Sequence, residues 1–320
     1  MLVGPNSADG GVELVIVGGG PAGLSAALVA ARARRTVLLV DGGEARNRVA
    51  EAMHGFITRD GVPPAEFRAL ARVQLAAYPT VTVVDDDVTA ISGERGAFTV
   101  IRRDGGSCHA AVVLMATGLV DVLPDLPGLR EHWGNGVYHC PYCDGYEHRD
   151  RIWGVIADEP TVYDYARFLR GWTASVVMFT MGGEPTGEAL ARLDRAGVII
   201  ETGQIENIVG GPGASLEAVE MRDGRRVPIE SLWIRPARRQ HRLTVALGLA
   251  INDEGAVCRD VHGATSVPGI YTAGDLAEGA TQQVLQAAAD GARVAMSINH
   301  WLIVEADDVD ARVTAPTTGG

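Results

Sequence analysis

The segment "VELVIVGGGPAGLSAALVAARARRTVLLVD", residues 12 to 41, constrains the fold more than any other part of the chain. An apolar run, Val12 to Val17, leads straight into three glycines and then into alanines and leucines that recur at helical spacing. A second apolar run, Thr36 to Val40, ends at Asp41. Strand, tight turn, helix and strand within about 30 residues make a complete βαβ unit. Within it Gly18 serves the turn, Gly20 leaves room for a pyrophosphate against the backbone, and Gly23 lets helix and strand pack closely. The helix N-terminus offers free N–H groups and the positive end of its dipole to phosphate. Asp41, 18 residues past Gly23, can accept hydrogen bonds from a ribose. A GxGxxG string alone is weak evidence, and the competing reading is a glycine-rich turn that holds nothing. Its position between a strand and a helix favours the dinucleotide site.

The rest of the chain continues the α/β pattern. "PPAEFRALARVQLAAY" predicts a helix with Pro at its start. "TVTVVDDDVTAIS", "AFTVIRR" and "AAVVLMATG" predict strands, and "DVLPDLPGL" predicts a crossover between domains. A second strand–helix–strand–helix series starts near Ile152, with "IWGVIAD", "PTVYDYARFLRGW", "SVVMFTM" and "EALARLDRAG". Near the end, a short strand, a Gly-Asp turn and a long amphipathic helix are expected in "GIYTAGDLAEGATQQVLQAAADGARVAMSINHWL". At 320 residues the chain has room for two domains, each with its own core. Its net charge of −12, without a single lysine, would repel nucleic acid over most of the surface. No apolar run approaches the roughly 18 residues of a membrane span, and the first residues lack a signal-peptide pattern, so a soluble cytoplasmic protein is expected.

"HCPYCDGYE", His139 to Glu147, sets two cysteines three apart beside a histidine and an aspartate. Such a pair can be a metal clip, a structural disulfide or a redox centre. Zinc would need two further ligands, and although His139 and His148 are near, no second CxxC or HxxxH half exists, so no metal is expected. CxxC spacing suits a small-ring disulfide, and Pro141 fits the first turn of a short helix. A neighbouring imidazolium or a helix N-terminus lowers a thiol pKa from roughly 8.5, so His139 can raise the thiolate fraction. Cys108 and Cys258 stand alone and read as ordinary core or surface residues.

GGGPAG, then ATG, then CxxCDG, then TAGD, in that order over nearly the whole chain, resemble thioredoxin reductases of the low-molecular-weight type. The resemblance implies two Rossmann-like domains of the FAD/NAD(P)-binding, three-layer ββα kind. An FAD domain would comprise residues 12–122 and 251–303, with a central CxxC-bearing domain at 123–250 and flexible tails at 1–11 and 304–320. FAD would be held by Gly18, Gly20, Pro21, Ala22, Gly23, Asp41, Asn47, Thr117, Gly118, Gly274, Asp275, Gln282 and Gln283. Cys143 would be the flavin-proximal sulfur, Cys140 the outer one, and Asp144 the acid that assists proton transfer. A homodimer is expected on the same ground. "ARNRVAEAMHGFITRDGVPPAEF", together with His139 before the CxxC, is similar to flavin-dependent dithiol oxidases that close disulfides in natural products of the gliotoxin, holomycin and romidepsin kind. That subgroup implies a second catalytic histidine near the end of the last helix, for which His300 is the match, although a helix-end histidine also serves simply as a favourable cap. His54 and Phe56 would line the substrate's approach.

The chain departs from a reductase where NADPH should bind. After the first strand of the central domain it reads "VIADEPTVYDYA", with no glycine and with Asp158 and Glu159 facing any pyrophosphate. After the next strand, "FTMGGEPTGE" offers an acid and no base to a 2′-phosphate. The expected activity is oxidation of a small-molecule dithiol through Cys140 and Cys143, with dioxygen reduced to hydrogen peroxide. Two alternatives stay open: an NADPH- or ferredoxin-linked disulfide reductase, NADPH being held by Arg222, Arg225, Arg226, Arg238 or Arg239, and a redox-sensing module that does not turn over.

Overall fold

Parallel strands flanked by helices dominate the computed structural model, which describes residues 11–213 and 215–305. The chain divides into two compact units. The first takes the chain up to Arg48, Pro64–Val120 and the chain from Arg238 onward; the second takes Val49–Pro63 and Asp121–Ala237. The boundaries thus fall near 120 and 238, where the sequence suggests 122 and 250. Residues 49–63 leave the first unit and join the second.

In the first unit five strands run parallel in the order Val81–Val84, Val37–Val40, Val12–Val17, Ser107–Met115 and Ile270–Thr272. The strand Ser107–Met115 is long enough to pair both with the parallel strands and with an antiparallel extension of the same seven-stranded sheet. Its end pairs with Val12–Val17, while its start pairs antiparallel with Phe98–Arg102, which pairs with Val88–Ser92. Both faces of the strand Val12–Val17 are covered from Leu14 to Val17, which is why those four residues are all apolar. Leu14 and Ile16 join a core with the helices Pro21–Arg32 and Val284–His300, whereas Val15 and Val17 join one with Phe98, Val100 and Leu243.

The second unit repeats the plan. Val198–Glu201, Ser175–Phe179, Ile152–Ile156, Ser231–Trp233 and Val137–Tyr138 form a parallel sheet in that order. Trp153, Val176, Met178 and Trp233 face the helices Tyr163–Leu169 and Gly187–Arg195. Ile156, Val177 and Phe179 face an antiparallel sheet of Ile205–Gly210, Leu216–Met221 and Arg226–Pro228. Sheet, helices on one side and antiparallel strands on the other make each unit a three-layer, Rossmann-like fold.

The helix expected over "PTVYDYARFLRGW" is shorter than its pattern suggests: a 3₁₀ turn, Pro160–Val162, precedes seven α-helical residues, Tyr163–Leu169. Of the tails, Val304 and Glu305 belong to a π-helical turn, Trp301–Glu305, that continues the last helix. Apart from these two residues and Gly11, both tails lie outside the described residues. Among the described residues no helix is long and apolar enough to cross a membrane.

Candidate active site

The cysteine pair is shaped by one turn of helix. Val137–Tyr138 ends at His139, Cys140 caps the helical turn Pro141–Asp144, and Pro141 takes a first-turn position where its missing N–H costs nothing. Cys143 and Asp144 donate their N–H groups to the Cys140 carbonyl at 3.0 and 3.1 Å. The Cα atoms of the two cysteines lie 5.2 Å apart, and their sulfurs are joined in a disulfide. Both cysteines are half-buried, within reach of solvent. Between them Tyr142 is 69% exposed, with its ring edge-on to Trp172 at 5.3 Å.

His139 and Asp144 flank the pair. The His139 ring stacks on Trp133 with centroids 5.7 Å apart, and its carbonyl accepts a 2.9 Å hydrogen bond from the Tyr165 hydroxyl. Burial holds the Tyr165 phenol well above its ordinary pKa, so it remains a donor. Burial likewise pushes the Asp144 carboxyl up to about 6, against the opposing influence of His54 and with reinforcement from Glu147. Asp144 can therefore hold or release a proton close to neutral pH.

His54 is brought directly onto this turn. Its Nδ1 lies 2.8 Å from the Cys143 carbonyl oxygen and its Nε2 3.5 Å from Glu147 Oε1. From sequence it reads as lining an approach, and this contact is missed. The only signal was its place in "AEAMHGFITRDG", within the stretch similar to the dithiol oxidases. His148 is buried against Tyr138, with ring centroids 4.6 Å apart; burial, followed by the charge of Arg151, pushes its pKa down to about 4. It is a neutral packing residue. Among the described residues no three His, Cys, Asp or Glu side chains are grouped to hold a metal ion.

The first unit carries the glycine turn. Gly18 has φ +110°, and a Cβ on it would lie 2.4 Å from the Ala116 carbonyl oxygen. One on Gly23 would lie 1.9 Å from the Gly18 carbonyl oxygen. One on Gly20, the N-cap of the helix Pro21–Arg32, would meet nothing within 4 Å. Two glycines are thus required by packing, and the third faces an open cleft shared with Asp41 and Thr117. Asp41 is fixed there: Arg72 donates to its Oδ2 at 2.6 Å and the Gly43 N–H to its Oδ1 at 3.0 Å. Thr117 Oγ1 is buried with no hydrogen-bond partner among the described residues, and Gly118 follows with φ +63°. An orphaned hydroxyl, a bare helix N-terminus and a buried carboxylate fit the adenosine diphosphate half of FAD.

A second cleft in this unit is lined by Gly274, Asp275, Gln282, Arg259 and Asp290. Ala22 packs under it, 2.9 Å from where a Gly274 Cβ would stand. Gln282 holds a left-handed backbone, φ +57°, and its Oε1 accepts a 2.8 Å bond from Arg46, which also pairs with Asp275 at 3.4 Å. Gln283 is the N-cap of the long helix, and Asn47 is half-buried on the turn Arg46–Val49. The cofactor residues named from sequence therefore border two clefts of one unit or the turns beside them. His300 also belongs to this unit, at the end of the long helix, where it is 66% exposed and 3.7 Å from Glu305. Cys108 and Cys258 are free, half-buried and in the first unit.

In the second unit the strand Ile152–Ile156 passes through Ala157 into exposed Asp158 and Glu159 before the 3₁₀ turn. The helix that follows is only seven residues long. Three of the arginines that could have served a nucleotide are otherwise engaged: Arg222 with Glu206, Arg225 with Glu201 and Asp223, and Arg226 with Glu217 and Glu220. Arg238 and Arg239 lie on the strand Ala237–Gln240.

Comparison with known proteins agrees with this geometry. Residues 12–291 match the family described as pyridine nucleotide-disulphide oxidoreductase. A probable thioredoxin reductase of Arthroderma benhamiae is 39% identical over 189 residues, which are 57% of this chain and only 47% of that protein. Thioredoxin reductase tcpT of Claviceps purpurea is 32% identical over 82% of this chain and 86% of its own length. The crystal structure of HlmI superposes with a TM-score of 0.88 at 35% identity, covering 97% of this chain and 98% of HlmI.

Proposed function

The chain belongs to the pyridine nucleotide-disulphide oxidoreductase family and is an FAD-dependent thiol:disulfide oxidoreductase, and from that premise we propose that it oxidises a small-molecule dithiol to its cyclic disulfide, with dioxygen as final acceptor. The observation that carries this reading is the crossover at Asp158 and Glu159. A nicotinamide nucleotide needs bare backbone N–H groups at a helix N-terminus there, and this turn offers two carboxylates and a short helix instead. Electrons then enter through thiols. The similarity of "ARNRVAEAMHGFITRDGVPPAEF" to dithiol oxidases supports the same direction.

The chemistry begins when one substrate thiol loses its proton to His139 or His300 and attacks Sγ of Cys140. The Cys140–Cys143 bond breaks, and Cys143 leaves as the thiolate. The second substrate thiol, deprotonated in turn, attacks the substrate sulfur held on Cys140, which closes the product disulfide and releases Cys140. Two electrons and two protons have left the substrate, and Asp144, poised near neutrality, takes up or passes on a proton at Cys143. Tyr142 offers an exposed ring beside the sulfurs for an organic substrate. FAD, held by the glycine turn, Asp41, Thr117 and the Gly274–Gln282 cleft, would supply the two-electron acceptor that dioxygen regenerates with release of hydrogen peroxide.

An anaerobic flavin-bleaching titration tests the proposal. A small dithiol should bleach the flavin, NADPH should not, and admitting air should restore the colour with release of peroxide. Prompt bleaching by NADPH would reverse the direction of electron flow and make the protein a reductase.

A further inference from the structure

The excursion Val49–Pro63 carries a side chain into the redox turn that no step above uses. His54 stands between two oxygen atoms: the Cys143 carbonyl at 2.8 Å from Nδ1 and the Glu147 carboxylate at 3.5 Å from Nε2. A carbonyl oxygen accepts hydrogen bonds and never donates one, and an ionised carboxylate does the same. A hydrogen on Nδ1 serves the carbonyl, and the Glu147 carboxylate at ion-pair distance from Nε2 gives a second hydrogen there, and with it a positive charge, an electrostatic partner. The neutral ring would turn a lone pair toward Glu147.

Asp144 and Glu147 face His54 from the redox turn. On the excursion itself, Asp60 is engaged with the Gly55 N–H at 2.8 Å. Tyr138, with Arg151 and Glu51 acting on it, borders Asp144 from the sheet side. Of these acids, Glu147 is the one in ion-pair contact with the imidazole. A cation beside a cysteine lowers the pKa of its thiol by stabilising the thiolate.

We propose that His54 is a positioning residue which, anchored on the Cys143 carbonyl and Glu147, presents positive charge to the redox turn and keeps Cys143 as a thiolate once the disulfide opens. The step is balanced by the exchange itself: the Cys140–Cys143 bond breaks, Cys143 departs with the electron pair, and the new bond joins Cys140 to the substrate sulfur. His54 transfers no proton; it stabilises the leaving group. The proposal rests on disulfide exchange at this pair and not on the identity of the substrate or of the final acceptor.

The test uses the holoprotein with Cys140→Ser, which leaves Cys143 as a free thiol. The rate of iodoacetamide labelling at Cys143, read by peptide mass spectrometry from about pH 5 to about pH 10, reports the thiolate fraction. Adding His54→Gln keeps a donor for the Cys143 carbonyl and removes the charge, and should raise the midpoint by about one unit, or about tenfold less labelling at a fixed pH below it. Adding His54→Arg instead should return the profile toward that of Cys140→Ser alone. Coincident profiles for all three proteins overturn the proposal, as does an equal rise with Arg and with Gln, because the shift would then come from disturbed packing. Should the Gln variant fail to retain FAD, the Arg variant decides alone: a profile matching Cys140→Ser supports the role of charge, and a raised one refutes it. No substrate or oxygen enters the measurement, so it can fail while dithiol turnover stands.

Discussion

Gly291 lies so close to Ala22 that a Cβ on it would stand 2.0 Å from the Ala22 carbonyl oxygen. The two residues join the helices Pro21–Arg32 and Val284–His300 backbone to backbone. The first helix opens on the glycine turn, and the second starts at the cleft that holds Gln282. Gly291→Val should force the helices apart, lower the unfolding midpoint by the equivalent of about 1–3 kcal/mol, and release FAD. Thermal unfolding followed by flavin fluorescence and by circular dichroism would show both losses together.

The glycines of the first turn should separate by role. Gly23→Val puts atoms into the Gly18 backbone and should destabilise the apoprotein itself. Gly20→Val extends into open space in the chain and should leave apoprotein unfolding unchanged, while FAD affinity falls by about tenfold or more. Urea unfolding of the apoprotein beside FAD titration distinguishes the two. Equal destabilisation by both substitutions would mean that Gly20 is a packing residue.

Asp144→Asn should change the pH dependence of stability with a defined sign. The carboxyl sits at about 6 in the folded chain against 3.8 for the free group, because burial disfavours its charge. Below about pH 4 it is protonated in both states and contributes nothing; from about pH 4 to about pH 6 only the folded state keeps the proton, so stability falls as pH rises. Above that the cost of the charge persists. The variant escapes it and should exceed the native protein above about pH 6, by at most about 3 kcal/mol and by less where solvent reaches the turn. Turnover should nevertheless drop about a hundredfold. Denaturant titrations at several pH values give the first result, and initial rates give the second.

Cys140→Ser and Cys143→Ser should each retain FAD yet lose dithiol turnover by about a thousandfold or more, equivalent to about 4 kcal/mol of barrier. Retained turnover in both variants would remove the disulfide from the mechanism.

Much of this was legible in the sequence, for identifiable reasons. Val12–Asp41 declares its fold because periodicity switches from strand to helix and back at glycines that packing demands. The CxxC pair was visible because its geometry is local: one helical turn suffices to close it. The antiparallel sheet from Ile205 to Pro228 was not predicted; its strands are short, and register shifts at Ile205/Asn207 and Val209/Gly210 break their alternation. His54 escaped for a different reason. Residues 49–63 have no periodic pattern, and their place is set by partners far along the chain, such as Gly134, where a Cβ would lie 2.7 Å from the Val49 carbonyl oxygen. Sequence spacing carries no trace of such a contact.

The excursion Val49–Pro63 also bears on biosynthesis. The ribosome makes His54 more than eighty residues before Cys143, ahead of every strand of the sheet beside which it will sit. During synthesis this strap must therefore wait, unpartnered, until the cysteine turn has emerged. A fragment cut to residues 121–237 would contain both sulfurs and the whole parallel sheet, yet it would lack the imidazole. Excising the second unit at its chain boundaries cannot reproduce its redox turn; a graft of that chemistry onto another scaffold has to bring the strap along as a separate piece of chain.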